Sequence, residues 1–343
     1  MTNPASLVGG QVAEAEGDFV AAAAAYRALL ASNDDRTAAE ARFLLGRVSW
    51  RQGRLDAALS CYEQARALAD EMHDKELHAR IDNGIGVVQY ARGDYAGARR
   101  AYASAESRTA DTVLKAKVLL NLGVIESIEG HHAQARDHYH RAFTLFEQNE
   151  DVASATLALY NRGLVEAELS RWTDADESFA GALRLATDAE NRELIARTLV
   201  NRSEVLVELG ALADAVVSCD HALAIYADIG DEVGRAEALR WRAHALGRAG
   251  DHAAAERNAT EALNIATRSG TRLLEAQAAR DVGVLRGLLG DRVSATKELR
   301  RSLALFTELG ARTEAAEIGV LLSRRTPNRP LHRVLFDDED DVK

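Results

Sequence analysis

Apolar residues along this chain follow a helical spacing that returns at intervals of forty residues. The stretches NLGVIESIEG (121–130), NRGLVEAELS (161–170) and NRSEVLVELG (201–210) each place apolar side chains at the spacing of one helix face. Each opens on an asparagine, so Asn121, Asn161 and Asn201 share one phase of a repeat. An amide kept at a fixed point of an apolar helix indicates a stacking or a binding role.

A second helix begins in each repeat with a recurring ten-residue frame. The frames are GDFVAAAAAY (17–26), GRLDAALSCY (53–62), GDYAGARRAY (93–102), GHHAQARDHY (130–139), SRWTDADESF (170–179), GALADAVVSC (210–219), GDHAAAERNA (250–259) and GDRVSATKEL (290–299). Their starts are 36, 40, 37 and then always 40 residues apart. Such an internal period predicts an array of stacked helix pairs.

Each frame position has a physical interpretation. The leading Gly or Ser ends one helix and permits a tight turn, with left-handed geometry when it is Gly. Asp94, Asp251 and Asp291 are expected to cap the next helix. The sixth position is always alanine, and a small residue recurs seven positions upstream of each frame. The upstream residues are Gly10, Gly46, Gly86, Gly123, Gly163, Ser203, Ala243 and Gly283. We expect the two helices of a unit to cross closely there.

This pattern resembles the tetratricopeptide repeat, although the closing proline is absent and the period of forty exceeds the usual length. The longer units are similar to those of kinesin light chain, LGN-type adaptors and bacterial regulator arrays. The resemblance implies an all-α, right-handed superhelix of about eight helix pairs. The expected units are 5–33, 37–70, 74–108, 111–148, 151–187, 191–229, 231–269 and 271–309, with a capping helix at 311–325 and a flexible acidic tail at 326–343.

The asparagines lie two residues before the small crossing residue, roughly 200° around the helix. They therefore point away from the core of their own helix pair. In a tetratricopeptide superhelix that direction is the concave groove, and the resemblance implies that Asn121, Asn161 and Asn201 hold an extended peptide there. The alternative is that each amide bridges to the next first helix and stabilises stacking.

Other candidate contacts follow the same stripe of the first helices. They are Asn83, Arg47, Arg51, Arg80, Lys117, Trp50, Arg197, Trp241, Arg240, Arg248 and Arg280. Arginine binds carboxylates through two parallel hydrogen bonds, so an acidic segment or a free C-terminus is a plausible ligand. Ordinary solvated arginines and space-filling tryptophans are the alternative interpretation.

Composition narrows the class of protein. A net charge of −11 argues against a general nucleic-acid surface. The N-terminus lacks the basic start and the apolar core of a signal peptide, and no apolar stretch is long enough to span a membrane. Cys61 and Cys219 lie in repeats that are far apart in sequence, so we expect no disulfide between them. We expect a cytoplasmic protein without membrane or nucleic-acid partners.

No arrangement of residues predicts catalysis or a cofactor. Phosphate-binding, HExxH, CxxC and GxSxG motifs are absent. His131, His132, His138 and His140 lack the helical spacing of a metal pair. We therefore expect no enzyme activity, no cofactor and no metal.

Three functions remain open. The first is a peptide- or protein-binding adaptor that uses the groove. The second is a sensor module that binds a small molecule or peptide for an output domain on another protein, and the third is a self-associating scaffold. A side hypothesis is that the tail from Pro327 to Lys343, which carries Leu335 and Phe336 before an acidic run, docks in a basic groove.

Overall fold

The computed structural model describes residues 6–323, which form seventeen α-helices and no strand. The all-α prediction is thereby confirmed. The tail hypothesis concerns residues that lie outside this described range. Within it, no helix combines the length and the apolar character needed to cross a bilayer.

The helices form successive antiparallel pairs followed by one single helix. The bounds are α1 (Leu7–Ala15), α2 (Phe19–Ala28), α3 (Asp35–Arg51), α4 (Leu55–Glu71), α5 (Lys75–Ala91), α6 (Tyr95–Arg108), α7 (Thr112–Ile128), α8 (His132–Gln148), α9 (Val152–Glu168), α10 (Trp172–Asp188), α11 (Arg192–Glu208), α12 (Leu212–Ile229), α13 (Glu232–Arg248), α14 (His252–Ser269), α15 (Arg272–Leu288), α16 (Arg292–Glu308) and α17 (Arg312–Ser323). Odd-numbered helices from α1 to α15 are the first helices of the pairs, and even-numbered helices are the second.

The helices group into two compact units, Met1–Ala158 and Leu159–Lys343, and the boundary falls within α9. In the first unit one apolar cluster runs from α2 to α5 and another joins α5, α6 and α7. In the second unit apolar clusters join α11 to α13, α13 to α15, and α15 to α17. Within these clusters a second helix packs on its own partner and on the next first helix.

In five of the helix pairs, an aromatic ring of the second helix packs against a glycine of the first helix. The glycine lies on the first helix, and the ring is sixteen residues later on the second helix. The pairs are Gly10 with Tyr26, Gly46 with Tyr62, Gly86 with Tyr102, Gly123 with Tyr139, and Gly163 with Phe179. All five rings are buried. The ring occupies the space that a side chain on the first helix would need, so each glycine permits the close crossing.

The remaining pairs preserve this fit with smaller partners. Ser203 faces Cys219, whose thiol donates a hydrogen bond to the Ser203 hydroxyl over 3.2 Å. Ala243 and Ala259, at the same two positions, are both buried, and Gly283 contacts Leu299. Thus a ring requires glycine, whereas a smaller partner admits serine or alanine.

The helix ends follow the expected chemistry, except that four described turns hold a residue other than glycine in the left-handed conformation. Asp94, Asp251 and Asp291 each accept a hydrogen bond from the backbone N–H three residues later, at 2.8, 3.0 and 3.1 Å. Gly230, Gly270 and Gly310 lie at the turns that follow second helices and have positive φ. Ser170, however, also has a positive φ of 54°. Serine there adopts the strained left-handed conformation that the sequence suggested only for glycine.

Replacing Gly123 by alanine should destabilise the protein by about 1–3 kcal/mol because the crossing is overpacked. A Cβ atom at this position would lie 2.5 Å from Cε1 of the buried Tyr139. The measurement is the urea-unfolding midpoint. Gly319→Ala is the matched control, because this helical glycine has open space around its Cβ position. A loss of stability in the control equal to that in Gly123→Ala would contradict the packing explanation.

Replacing Ser170 by glycine should raise the stability by about 0.5–1 kcal/mol, because glycine adopts positive φ without a steric penalty. The thermal midpoint of the variant should increase relative to the wild type. The converse change, Gly210→Ser, places serine at the equivalent turn, where φ is 75°, and should lower the midpoint. Equal midpoints for all three proteins would show that the turn carries no backbone strain.

Candidate functional site

The candidate residues lie on first helices that contact one another side by side within each unit. The contacts join α1 to α3 and α3 to α5 in the first unit, and α11 to α13 and α13 to α15 in the second. We call the position two residues before the small crossing residue the asparagine phase. Its residues on α3 to α15 are Leu44, Gly84, Asn121, Asn161, Asn201, Trp241 and Asp281. Leu44 and Asp281 are buried, whereas the three asparagines and Trp241 are half-buried. This phase therefore lies beside the neighbouring first helix, at the edge of the helix-to-helix seam.

Two of the three asparagines bond across this seam. The Asn121 amide nitrogen donates to Oδ1 of Asn83 on α5 over 3.4 Å. The Asn201 amide nitrogen donates to the Tyr160 hydroxyl on α9 over 2.7 Å. Both contacts are of the stacking type that the sequence left open. Asn161 is half-buried and makes no hydrogen bond with any residue in the described range.

The cations of the first unit pair with acids on the preceding first helix. Arg47 donates two hydrogen bonds of 2.8 Å to Glu14, and the Arg51 guanidinium lies 3.8 Å from the same carboxylate. Arg80 bonds Glu40 at 2.5 Å. Lys117 is exposed and forms no ion pair with a described residue, so it is the cation of this surface with the most freedom to bind a ligand.

The second unit shows the same pairing across its first helices. The Arg197 guanidinium lies 5.2 Å from the centroid of the Tyr160 ring, and Arg248 donates to Glu208 over 3.2 Å. Most of these partners are 37 to 41 residues apart in sequence, which is the repeat length. Opposite charges at that spacing are a signal from which sequence analysis could have found the pairs.

Arg240 and Arg280 belong to a buried cluster around Asp281. Arg240 donates to Oδ2 of Asp281 over 2.9 Å, and Nε2 of His244 lies 3.0 Å from the same oxygen. Arg280 donates to Oδ1 over 3.1 Å. Arg240 is only 7% exposed. It therefore differs from the expectation of an open groove residue, because the carboxylate of Asp281 draws it into the seam.

The charge of Asp281 is fixed by these neighbours. Burial favours the neutral acid, but His244, Arg280 and Arg240 outweigh burial and hold the pKa of Asp281 well below its ordinary value. The carboxylate is thus ionised at neutral pH and ties α13 to α15.

The two candidate tryptophans occupy different surroundings. Trp50 is 37% exposed near the end of α3. The Trp241 ring lies 4.9 Å from the His244 ring, between centroids, and 5.5 Å from the Arg240 guanidinium. Trp241 therefore covers the Asp281 cluster and is also half-buried at the surface, whereas Trp50 is available to solvent.

One group of metal-type ligands occurs in the described residues, formed by Glu126, Glu129 and His131. Nε of Arg99 lies 3.0 Å from Glu126, and the same guanidinium bonds Glu129. Nδ1 of His131 lies 2.9 Å from Glu126. Arg99 already pairs with both carboxylates, so ion pairing accounts for this arrangement.

With this geometry established, the chain can be compared with known proteins. The family model described as "Tetratricopeptide repeat" matches residues 37–111, which span α3 to α6. A comparison with curated proteins gives no match. The sequence likeness thus covers two helix pairs.

Solved structures extend the likeness of fold to most of the chain. A signal transduction ATPase with numerous domains and a tetratricopeptide repeat sensor, from Pyrococcus horikoshii, matches with a TM-score of 0.69 and 13% identity over 91% of this chain and 48% of that chain. The apo form of RapI matches with a TM-score of 0.62 and 13% identity over 80% of this chain and 99% of that chain. A Rap protein complexed with competence and sporulation factor gives 0.54 and 14%, over 92% and 95% respectively. The chain therefore has the fold of these structures, and its residues 37–111 match the tetratricopeptide-repeat model.

Replacing Asp281 by asparagine should destabilise the protein by about 3–5 kcal/mol, because the buried Arg240 and His244 lose their counter-charge. The urea-unfolding midpoint at neutral pH measures the loss. Asp220→Asn is the control, since Asp220 bonds Arg242 at 2.7 Å but is 49% exposed, and should cost less than about 1 kcal/mol.

The lowered pKa of Asp281 also predicts how the stability of the protein depends on pH. A carboxyl whose pKa is lowered by folding stabilises the protein above its ordinary pKa, here 3.8, and this contribution is lost as the pH falls below that value. The difference between wild type and Asp281→Asn should accordingly shrink in acid. A difference independent of pH would contradict the assignment.

Proposed function

We propose that this protein is a non-catalytic repeat scaffold that binds a protein or peptide segment along its first helices. The observation that carries the proposal is Asn161. Its amide is half-buried at the asparagine phase and has no hydrogen-bond partner among the described residues. A half-buried amide without a protein partner favours a ligand, because its donors and acceptor match one peptide unit.

The other amides of the same phase also have unused hydrogen-bonding groups. The bond from Asn121 to Asn83 uses one donor of Asn121 and one acceptor site of Asn83. The Asn83 amide nitrogen and the Asn121 carbonyl oxygen remain to bind a ligand backbone. Asn201 likewise keeps its carbonyl oxygen beside the Tyr160 hydroxyl. The stacking and binding interpretations of the amides are thus compatible, because each amide has more bonding sites than stacking uses.

The charges of the first unit favour an acidic ligand segment or a free C-terminus there. Lys117 is exposed without an ion pair, and Arg51 is exposed with its nitrogen 3.8 Å from Glu14. Arg47 and Arg80 are more firmly held by their carboxylates. We therefore assign ligand charge recognition in this unit to Lys117 and Arg51.

Proteins of the same fold support the binding role. The Rap structure named above was solved in complex with competence and sporulation factor. The Pyrococcus horikoshii protein carries its repeats as a sensor. A sensor role in this chain would use the same surface for a small molecule in place of a peptide.

Replacing Asn161 by alanine should lower the affinity of the protein for a peptide while leaving the stability of the protein unchanged. Peptides selected from a random phage-displayed library on the wild type serve as the probe. Loss of two hydrogen bonds at about 1 kcal/mol each raises the Kd roughly 5- to 30-fold. Fluorescence anisotropy measures the Kd, and thermal unfolding measures stability.

Asn264→Ala is the matched control, because Asn264 is an exposed asparagine on the second helix α14. Its Kd should equal that of the wild type. An unchanged Kd in Asn161→Ala, or a failure to select any peptide on the wild type, would count against peptide binding. Stabilisation by a small metabolite in a thermal-shift screen would then favour the sensor role.

A further inference from the structure

The outer surface of α16 carries three cations that have no acidic partner. Arg292, Lys297 and Arg300 are exposed on this helix, and none of them forms an ion pair with a described residue. Val293, beside them, is 85% exposed. Val293, Lys297 and Arg300 follow the i, i+4, i+7 spacing of one helix face. We call these four residues the basic face of α16.

The acids of α16 itself are already engaged. Glu308 bonds Arg272 of α15, and the buried Glu298 lies 3.7 Å from the guanidinium of Arg301. Asp291 caps the helix by accepting a hydrogen bond from a backbone N–H of its first turn over 3.1 Å. The cations of the basic face therefore have no carboxylate of their own helix to pair with.

The neighbouring helix α17 supplies no counter-charge either. It packs on α16 through an apolar cluster, but its acids, Glu314 and Glu317, form no ion pair with a cation of α16 among the described residues. By contrast, Arg248 of the first-helix surface donates to Glu208 over 3.2 Å. An anion gains more on the basic face than beside Arg248, because no internal carboxylate competes for the cations there.

The chain itself provides an anion of matching pattern. Beyond the described residues its sequence reaches Leu335 and Phe336, which are followed directly by the acidic run DDEDD (337–341). The arginines of this segment all come before Leu335, so the acidic run contains no cation. An apolar pair followed by acids complements a face on which an exposed apolar side chain is followed by cations.

The chain is long enough for the acidic run to reach the basic face. Ser323 ends α17, and Asp337 comes fourteen residues later. Fourteen residues span up to about 46 Å when extended, whereas the 17 residues of α16 are about 25 Å long. A short tether raises the effective concentration of the acidic run at this face to about the millimolar range. This advantage favours the run of the same chain over that of a second copy.

We propose that residues 335–341 of this chain dock on the basic face of α16. The carboxylates of the acidic run pair with Arg292, Lys297 and Arg300, and the apolar pair covers Val293. Contacts between exposed charges are weak and sensitive to salt, so the docked segment is a reversible cover. An acidic partner has to displace this cover to use the face. The contact does not involve the first-helix surface, so its test is independent of peptide binding there.

Carbodiimide cross-linking of the full wild-type chain tests this contact without a label. The reagent joins a lysine amine to a carboxylate that touches it, and the lysines of this chain are few: Lys75, Lys115, Lys117, Lys297 and Lys343. Mass spectrometry of the digested protein should find Lys297 joined to the acidic run. The yield should fall at about 0.5 M salt, because the Debye length is then only about 4 Å.

Two double variants separate pairing at the basic face from a general effect of charge. Arg292→Gln with Arg300→Gln keeps Lys297 as the reporter and should lower the yield of its cross-link at least about twofold. The matched control is Arg27→Gln with Arg100→Gln. It also removes two exposed second-helix cations that form no ion pair with a described residue, from α2 and α6, and its yield should equal that of the wild type. Thermal unfolding checks that each variant is folded.

Several results would overturn the proposal. One is the absence of a cross-link between Lys297 and the acidic run. Another is a cross-link of the run to Lys117 in place of Lys297, which would put the segment on the first-helix surface. In a mixture of chains with ordinary and heavy nitrogen, cross-linked peptides that combine both isotopes would make a second copy the occupant. An equal loss of yield in both double variants would reject pairing with Arg292 and Arg300.

Discussion

The contact between an aromatic ring and a glycine sets the geometry of the helix pairs. It fixes how closely the first and second helices cross, because the ring fills the place of the missing side chain. Close packing of this kind tolerates little change in volume. Each crossing then determines where the outer face of the first helix points.

Polar contacts connect the first helices along the seam between them. The apolar cores lie between first and second helices, whereas arginines, carboxylates and amides join one first helix to the next. Exposed ion pairs contribute little stability, whereas removal of the Asp281 carboxylate would leave buried Arg240 without its counter-charge. The seam thus combines ordinary surface pairs with one buried charged cluster. Asn161 makes no hydrogen bond, and Lys117 makes no ion pair, with another residue of the described range.

Much of the fold could be predicted from the sequence because it depends on local rules. Small residues at the crossing, capping aspartates and turn glycines each act within a few tens of residues, and the structure has them where the pattern placed them. The candidate site was harder to predict. Helical spacing gives the direction of Asn121 relative to its own pair, but the position of the next first helix depends on how whole pairs stack. Leu44 and Asp281 occupy the same phase as the asparagines, and both are buried. The phase therefore lies at a contact between helices and not only at an open surface.

Ser170 shows another limit of the pattern. Serine occupies here the turn position that glycine holds in the other seven frames, and the backbone is left-handed in all eight. Tertiary constraint there outweighs local preference. The same holds for Arg240, whose position is decided by a carboxylate on a helix forty residues away.

The sixteen-residue separation of glycine and ring has an evolutionary consequence. Both members of the pair lie within one forty-residue unit, so a duplication or deletion of a whole unit copies or removes them together. No unmatched ring or unfilled notch is left behind. Arrays of this kind can therefore change in number of repeats by single genetic events, while the fit within each hairpin is inherited intact.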